Sequence, residues 1–119
     1  MIEEIIIQYL SGKGLSVGSH IYAEVPEDPP DAYVVIEKTG SSRVNRINQA
    51  MIAIQSIVRK REDGRGMLMA ARLNEEVKAA MDEIIALPQI FKCALNSDYN
   101  FTNTATKEYR YQAVFNLYY

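Results

Sequence analysis

The chain has 119 residues, of which 48% are hydrophobic and 24% charged, as is ordinary for a globular protein with one core. Its 13 Lys and Arg are outnumbered by 15 Asp and Glu, and a net charge of -2 argues against a protein that binds nucleic acid through a broad basic face. One cysteine excludes an intrachain disulfide, and no apolar run has the length of a signal peptide or a membrane span. We therefore expect one domain over residues 1–119, acting in a reducing compartment where it is made.

The first half of the chain predicts one helix and two strands. Apolar residues at positions 2, 5, 6, 9 and 10 form one helical stripe, and we expect Ser11–Gly14 to end the helix, with Gly12 able to take the left-handed conformation. Val17–Val25 predicts a short strand, which ends at a group of three prolines. Ala32–Lys38 is a strand rich in β-branched and aromatic residues, and the polar composition of Gly40–Asn48 predicts a long loop.

The second half predicts a strand, a long helix and two closing strands. Ala50–Val58 is apolar on both alternating faces, which is typical of a central strand covered on both sides. The apolar residues of Met67–Ala86 share one helical face. Ile90–Leu95 and Tyr109–Tyr119 alternate as strands, with a second polar loop, Asn96–Lys107, between them. This order predicts an α+β fold, with a mainly antiparallel or mixed sheet of about four to five strands and two helices packed on one face.

Residues suited to catalysis are scarce and scattered. The single histidine, His20, lies far along the chain from Cys93, which alternates with apolar residues as a buried structural thiol does. Four carboxylates occur in the proline-rich segment Glu24–Asp31, and carboxylate oxygens suit a divalent cation. These are Glu24, Glu27, Asp28 and Asp31. Their spacing lacks the calcium-loop pattern, so we interpret the segment as a solvated acidic turn and keep a small metal-dependent enzyme as the alternative. We predict no enzyme, no cofactor and no metal site.

Two groups of residues are candidates for contacts with partners. Four tyrosines occur in the last eleven residues, and tyrosines on both faces of a strand favour a sheet that meets another protein surface. The interface candidates are Tyr99, Phe101, Tyr109, Tyr111, Tyr118 and Tyr119. The candidates for facing DNA phosphate are Arg43, Arg46, Arg59, Lys60, Arg61 and Arg65. The alternatives are a sheet face covered by its own loops and a charged connection that contacts only water.

Four stretches together carry a family resemblance. They are Tyr33–Glu37 with the polar residues after it, the strand Ile52–Val58, the helix with Leu73, Val77, Ala80 and Met81, and the ending with Tyr99-Asn100-Phe101, Thr106-Lys107 and Arg110–Phe115. In these stretches nearly the whole chain resembles the tail-terminator (tail-completion) and minor capsid proteins of long-tailed bacteriophages and prophages. The aromatic ending is the most specific of the four, and none of them is catalytic.

The resemblance implies a structural role in virion assembly. It implies a homo-oligomeric ring, commonly a hexamer, which ends polymerisation of the tail tube at its head-proximal end and joins tail to head. The implied partners are further copies of the chain, the tail-tube protein and the head connector proteins, with DNA passing through the lumen unread and no membrane involved. The implied location is the bacterial cytoplasm during assembly and then the neck of the virion. A head–tail joining role in the same neck region is the alternative.

Overall fold

The computed structural model describes residues 1–59, 61–102, 105 and 108–119. The helices and strands in chain order are α1 (Ile2–Ser11), β1 (Ile21–Tyr22), β2 (Ala32–Val44), β3 (Ile47–Arg59), α2 (Gly66–Asp82), β4 (Lys92–Asn100) and β5 (Glu108–Tyr118). A short 3-10 helix, Ile84–Ala86, follows α2. Among the described residues, no helix is both long enough and apolar enough to span a bilayer.

The strands form a single five-stranded sheet in the order β1-β2-β3-β5-β4. The short strand β1 runs parallel to β2, and the other three pairs of neighbours are antiparallel. The predicted α+β class with a mainly antiparallel, mixed sheet is confirmed. Strand β3 occupies the centre of the sheet, as its apolar residues on both faces predict.

Both helices pack on one face of the sheet, where the main core lies. The buried residues Ile6 and Leu10 of α1, together with Leu73 and Val77 of α2, belong to one cluster with sheet residues. The sheet contributes Val34, Ile36, Ile52, Ile54, Ala113, Phe115 and Leu117. Each fully buried aliphatic side chain contributes about 1.5–3 kcal/mol to folding, so the helical stripes seen in the sequence account for the helix–sheet packing.

Helix α1 ends at Ser11 as predicted, but Gly12 does not take the left-handed conformation. Gly12 is right-handed at φ -93°, because its N–H still bonds to the carbonyl of Tyr9. The left-handed residue is Gly14 at φ 72°, two residues further on. The predicted strand Val17–Val25 is also too long, since only Ile21–Tyr22 pairs with β2.

The predicted loop Gly40–Asn48 is wrong, because most of it is strand. Strands β2 and β3 stay paired as far as Val44 and Ile47. The connection consists of Asn45 and Arg46, both with positive φ (51° and 67°), the geometry of a tight two-residue hairpin turn. Main-chain hydrogen bonds carry this pairing, so polar side chains on both faces do not prevent it.

The second predicted loop, Asn96–Lys107, is shorter than expected. Strand β4 starts at Lys92 and continues to Asn100, with a register shift between Leu95 and Ser97 where the sequence turns polar. Pairing extends one step further, since the N–H of Phe101 donates to the carbonyl of Arg110. Residues 103, 104, 106 and 107 lie outside the described part of the chain.

Candidate functional site

The second face of the sheet carries neither α1 nor α2, and we call it the helix-free face. Residues directly opposite each other in antiparallel strands point to the same face, so the registers place Tyr99, Gln112 and Gln55 in one row across β4, β5 and β3. The amide of Gln55 donates to Oε1 of Gln112 at 2.9 Å, and the amide of Gln112 donates to the hydroxyl of Tyr99 at 2.6 Å. This row joins three strands through polar side chains on a face that carries no helix.

A small apolar cluster lies on the helix-free face beside β1. It contains the buried Tyr33, Val35 and Ile57, with Tyr22 packed edge-on against Tyr33 at 6.3 Å between ring centroids. The Tyr33 hydroxyl donates to the carboxylate of Glu108 at 3.1 Å. Burial, and then the negative charge of Glu108, raise the pKa of Tyr33 to about 12. This cluster stabilises the end of the sheet opposite the β2–β3 turn.

The β2–β3 turn closes a projecting segment, residues 40–49, which we call the hairpin arm. All its residues are exposed except the half-buried Asn48, whose main chain exchanges two hydrogen bonds with Tyr119. Val44 is 66% exposed and Ile47 42% exposed, and by register both lie on the helix-free side. With Tyr118 they line a concavity of about 220 Å³, and a second of about 240 Å³ lies against Met51. The arm therefore exposes an apolar side without a partner in the described structure.

The tyrosines of β5 divide between the two faces. Tyr109, Tyr111 and Tyr119 lie on the helix side, where Tyr119 packs against the core and the ring of Tyr109 lies against Gly66 of α2. Tyr118 lies on the helix-free side, with the Lys92 ammonium 5.5 Å from its ring centroid. All four tyrosines are half-buried. Their role as interface residues stays a prediction, and Tyr118 has the position best suited to it.

The other two interface candidates, Tyr99 and Phe101, form an exposed aromatic pair. Their ring centroids are 6.0 Å apart in an edge-to-face arrangement, and Tyr99 belongs to the polar row described above. The side chains are 42% and 46% exposed. The pair lies towards the end of β4 that is remote from the hairpin arm, so the predicted interface residues do not form one contiguous patch.

The structure also separates the basic candidates. Arg43 and Arg46 lie in the hairpin arm. Arg59 is the last residue of β3, at the other end of the β2–β3 hairpin, and Arg61 and Arg65 follow it before α2. The Arg61 guanidinium bonds to both carboxylate oxygens of Asp63, and that of Arg59 donates to the carbonyl of Pro29 at 3.3 Å. Lys60 is outside the described residues. These cations therefore form two groups, and only the arm group is without acidic neighbours in sequence.

The candidates for chemistry stay apart. His20 lies beside β1, with its Nδ1 2.9 Å from the Tyr22 hydroxyl, while Cys93 lies on β4 at the opposite edge of the sheet. Burial, followed by the charge of Asp82, raises the pKa of the Cys93 thiol to about 11, which suits a structural thiol. In the part of the chain that the structure describes, which includes all of Glu24–Asp31, no three His, Cys, Asp or Glu residues are arranged to hold a metal ion. The alternative of a metal enzyme built on this turn gains no support.

Sequence reasoning missed a polar contact between α2 and β4. Asn74 is 1% exposed within the apolar face of α2, and its amide donates to Asp98 at 2.9 Å. Lys78 donates to the same carboxylate oxygen at 2.9 Å, and this hydrogen bond, followed by the charge of Lys78, holds the pKa of Asp98 below the usual value. The sequence does contain a sign of this contact, since Asn74 is an amide within the apolar stripe of α2, one turn before Lys78. Its partner could not be identified because Asp98 was predicted to lie in a loop.

Comparison with known proteins identifies the fold. No protein-family model matches the sequence, and no curated protein matches it. Among solved structures, the chain is similar to a chain in the virion of a native gene transfer agent (GTA) particle, with a TM-score of 0.74 and 18% identity. The similarity covers 98% of this chain and 92% of the other. This chain therefore has the fold of a virion-particle chain over almost its whole length.

Proposed function

We propose that this chain is a structural subunit of a phage-type virion, which assembles into a ring at the head-proximal end of a tail. In this role it has no catalytic activity, acts as one domain, and needs no cofactor. Copies of the chain contact one another around the ring, one rim meets the tail-tube protein, and the other meets the head connector. The ring, which we expect to be a hexamer, ends tube polymerisation and lets DNA pass without reading its sequence.

The observation that carries this proposal is the structural similarity to a GTA virion chain, because it spans 98% of this chain. The resemblance of the sequence to the tail-terminator family points the same way. The surface supports it further, since the hairpin arm exposes Val44 and Ile47 beside Tyr118. Exposed apolar groups of this kind are typical of surfaces that meet other proteins.

The charge distribution fits a DNA conduit. A ring that DNA slides through has to avoid tight phosphate binding, because each neutralised phosphate adds affinity that slows release. The net charge is -2, and Arg61, one of the candidates for facing DNA, is paired with Asp63. We therefore propose weak contact with DNA and strong contact with protein.

Electron microscopy of the purified protein tests the proposal. We expect closed rings of uniform diameter on negatively stained grids, and rings bound at one end only of added tail tubes. Multi-angle light scattering across a concentration series measures the stoichiometry in parallel. A protein that stays monomeric at every concentration and leaves tube ends bare would contradict the proposal.

The second candidate is a head–tail joining protein of the same neck region. The virion similarity favours it equally, because that similarity concerns the fold and not the position in the particle. Labelling the subunit in intact particles separates the two roles. A label at the tail-tube rim supports the tail terminator, and a label at the head connector supports the joining protein.

A further inference from the structure

We propose that the basic tip of the hairpin arm of one copy docks on the acidic turn, residues 24–31, of the next copy. This inference rests on the self-assembly proposed above and names the contact that drives it. The occupant of each surface is therefore a second copy of this chain, joined head to tail.

The arm is a purely basic segment. The arm contains Arg43 and Arg46, Lys38 lies two residues before it, and residues 38–49 include no acidic residue. In the described structure none of these three cations belongs to an ion pair. The tight turn holds Arg46 at the outermost point of the hairpin, so its charge projects into solvent.

The turn has the opposite character. It carries Glu24, Glu27, Asp28 and Asp31 and no basic residue, and within the described residues these carboxylates form no ion pair. Three prolines restrict its main chain, and Arg59 anchors it, since its N–H donates to the Asp31 carbonyl at 2.8 Å. Val25 is 51% exposed at its surface, which gives the exposed Val44 and Ile47 of an incoming arm an apolar partner.

The two segments cannot meet within one copy. Strand β2 begins at Ala32, directly after the turn, and ends at Val44, directly before the tip. Thirteen extended residues place these ends about 40 Å apart, on a molecule whose longest dimension is 51 Å. The basic arm and the acidic turn can therefore come into contact only between two copies of the chain.

A contact between two different patches of identical subunits is heterologous, and it repeats until the rotation closes a ring or a filament grows. Charge complementarity of this kind favours one register and one partner over others. The same two segments therefore account for both the direction and the repetition of the assembly. The apolar side of the arm adds buried area beside Arg46.

The test exchanges charges between the two surfaces. In the arm variant, Arg43→Glu and Arg46→Glu are combined. In the turn variant, Glu24→Arg, Glu27→Arg and Asp28→Arg are combined, which sets three arginines against the one remaining carboxylate, Asp31, and makes the turn positive. Each variant alone then opposes like charges at every contact, so we expect assembly to require at least about tenfold more protein than wild type. In an equimolar mixture, negative arms meet positive turns and positive arms meet negative turns, so we expect assembly to return with the variants alternating.

Light scattering of wild type, the two variants and the mixture gives the answer. Arg72→Glu, on the exposed side of α2, is the control for a charge reversal away from both surfaces. Thermal melting of each variant checks that it folds. Recovery of assembly in the mixture would show directly that both variants are folded. The arm–turn contact would be overturned if either variant alone assembles like the wild type, or if the mixture does not assemble. Either result would leave the proposed ring in place. A wild type that never assembles would overturn the ring and this contact together.

Discussion

The ring of Tyr109 lies so close to Gly66 that a Cβ atom at residue 66 would overlap it. Gly66 is the first residue of α2 and is buried, and Tyr109 is in β5. The absence of a side chain at residue 66 therefore sets how closely the start of α2 approaches the sheet. A tyrosine that the sequence suggested for a subunit interface thus also has a packing role within the subunit.

Replacing Gly66 with Ala should destabilise the protein. The new methyl group forces the Tyr109 ring or the start of α2 to move, and overpacking of this kind costs about 1–3 kcal/mol. Urea unfolding followed by circular dichroism measures the change in the free energy of unfolding. Gly40→Ala is the matched control, because no atom lies within 4 Å of the added Cβ. An unchanged midpoint for Gly66→Ala would show that the ring moves aside freely.

The hairpin turn makes a prediction about the main chain rather than about charge. Arg46 has φ 67°, where a Cβ atom costs roughly 1 kcal/mol relative to glycine. Arg46→Gly and Arg46→Ala remove the same cation, so their difference isolates the conformation. We expect the Gly variant to be more stable than the Ala variant by about 1 kcal/mol in urea unfolding. Equal stabilities would mean that the turn does not hold residue 46 in the left-handed region.

Asp98→Ala should weaken the contact between α2 and β4. The change removes the acceptor of the buried Asn74 amide and of Lys78, and an unsatisfied buried donor costs about 1–3 kcal/mol. Glu75→Ala is the control, because it removes only an exposed ion pair of Lys78, worth about 0–1 kcal/mol. Urea unfolding compares the two variants. A larger loss for Glu75→Ala would contradict the importance of the buried amide.

The same contact has a pH dependence of defined sign. Lys78 and Asn74 hold the pKa of Asp98 below the value of 3.8 expected for an unfolded chain. Its stabilising contribution is therefore complete above that value and is lost as the pH falls through the lower folded-state pKa. The stability difference between wild type and Asp98→Ala should shrink as acid is added. A constant difference down to the acid transition would argue against the ionic part of the contact.

Tyr33 should make the protein less stable in alkali. Its pKa is about 12 in the folded chain against 10.0 for a free tyrosine, so between these values only the unfolded chain loses the proton. The free energy of unfolding then falls as the pH rises from about 10 to about 12, at up to about 1.4 kcal/mol per pH unit. Tyr33→Phe should flatten this slope, and Tyr99→Phe, at an exposed position, should leave it. Identical slopes in all three proteins would contradict the assignment to Tyr33.

Periodicity predicted the elements whose residues face a core. The apolar stripe of α2, with Leu73 and Val77, is buried as expected, because a 3.6-residue repeat can face a sheet in only one way. The central position of β3 followed from apolar residues on both of its faces. The two predicted loops that proved to be largely strand were both polar segments, residues 40–48 and 96–100. Main-chain pairing formed those strands, and it leaves little trace in side-chain polarity.

Composition drew attention to the residues suggested for an interface, but it did not predict which of them lie together in the fold. Tyr109, Tyr111 and Tyr119 occupy odd positions and Tyr118 an even one, so the two-residue period of a strand places Tyr118 on the opposite face from the other three. The distance between Arg43 and Arg59 depended on whether the segment between them was a loop or an extended hairpin. Only the register of β2 and β3 decided it, since pairing partners are set by contacts distant along the chain.

By itself, the sequence determined the layered α+β architecture, the helix faces and the scarcity of catalytic groups, because these depend on local periodicity and on which residue types are present. The tertiary structure decided that the polar segment after β2 is a projecting arm, that the acidic turn lies at the opposite end of the same strand, and that one face of the sheet carries no helix. Those features depend on strand register and on which elements cover one another, and both are settled by the free energy of the whole fold. The surfaces proposed for assembly all belong to this second group.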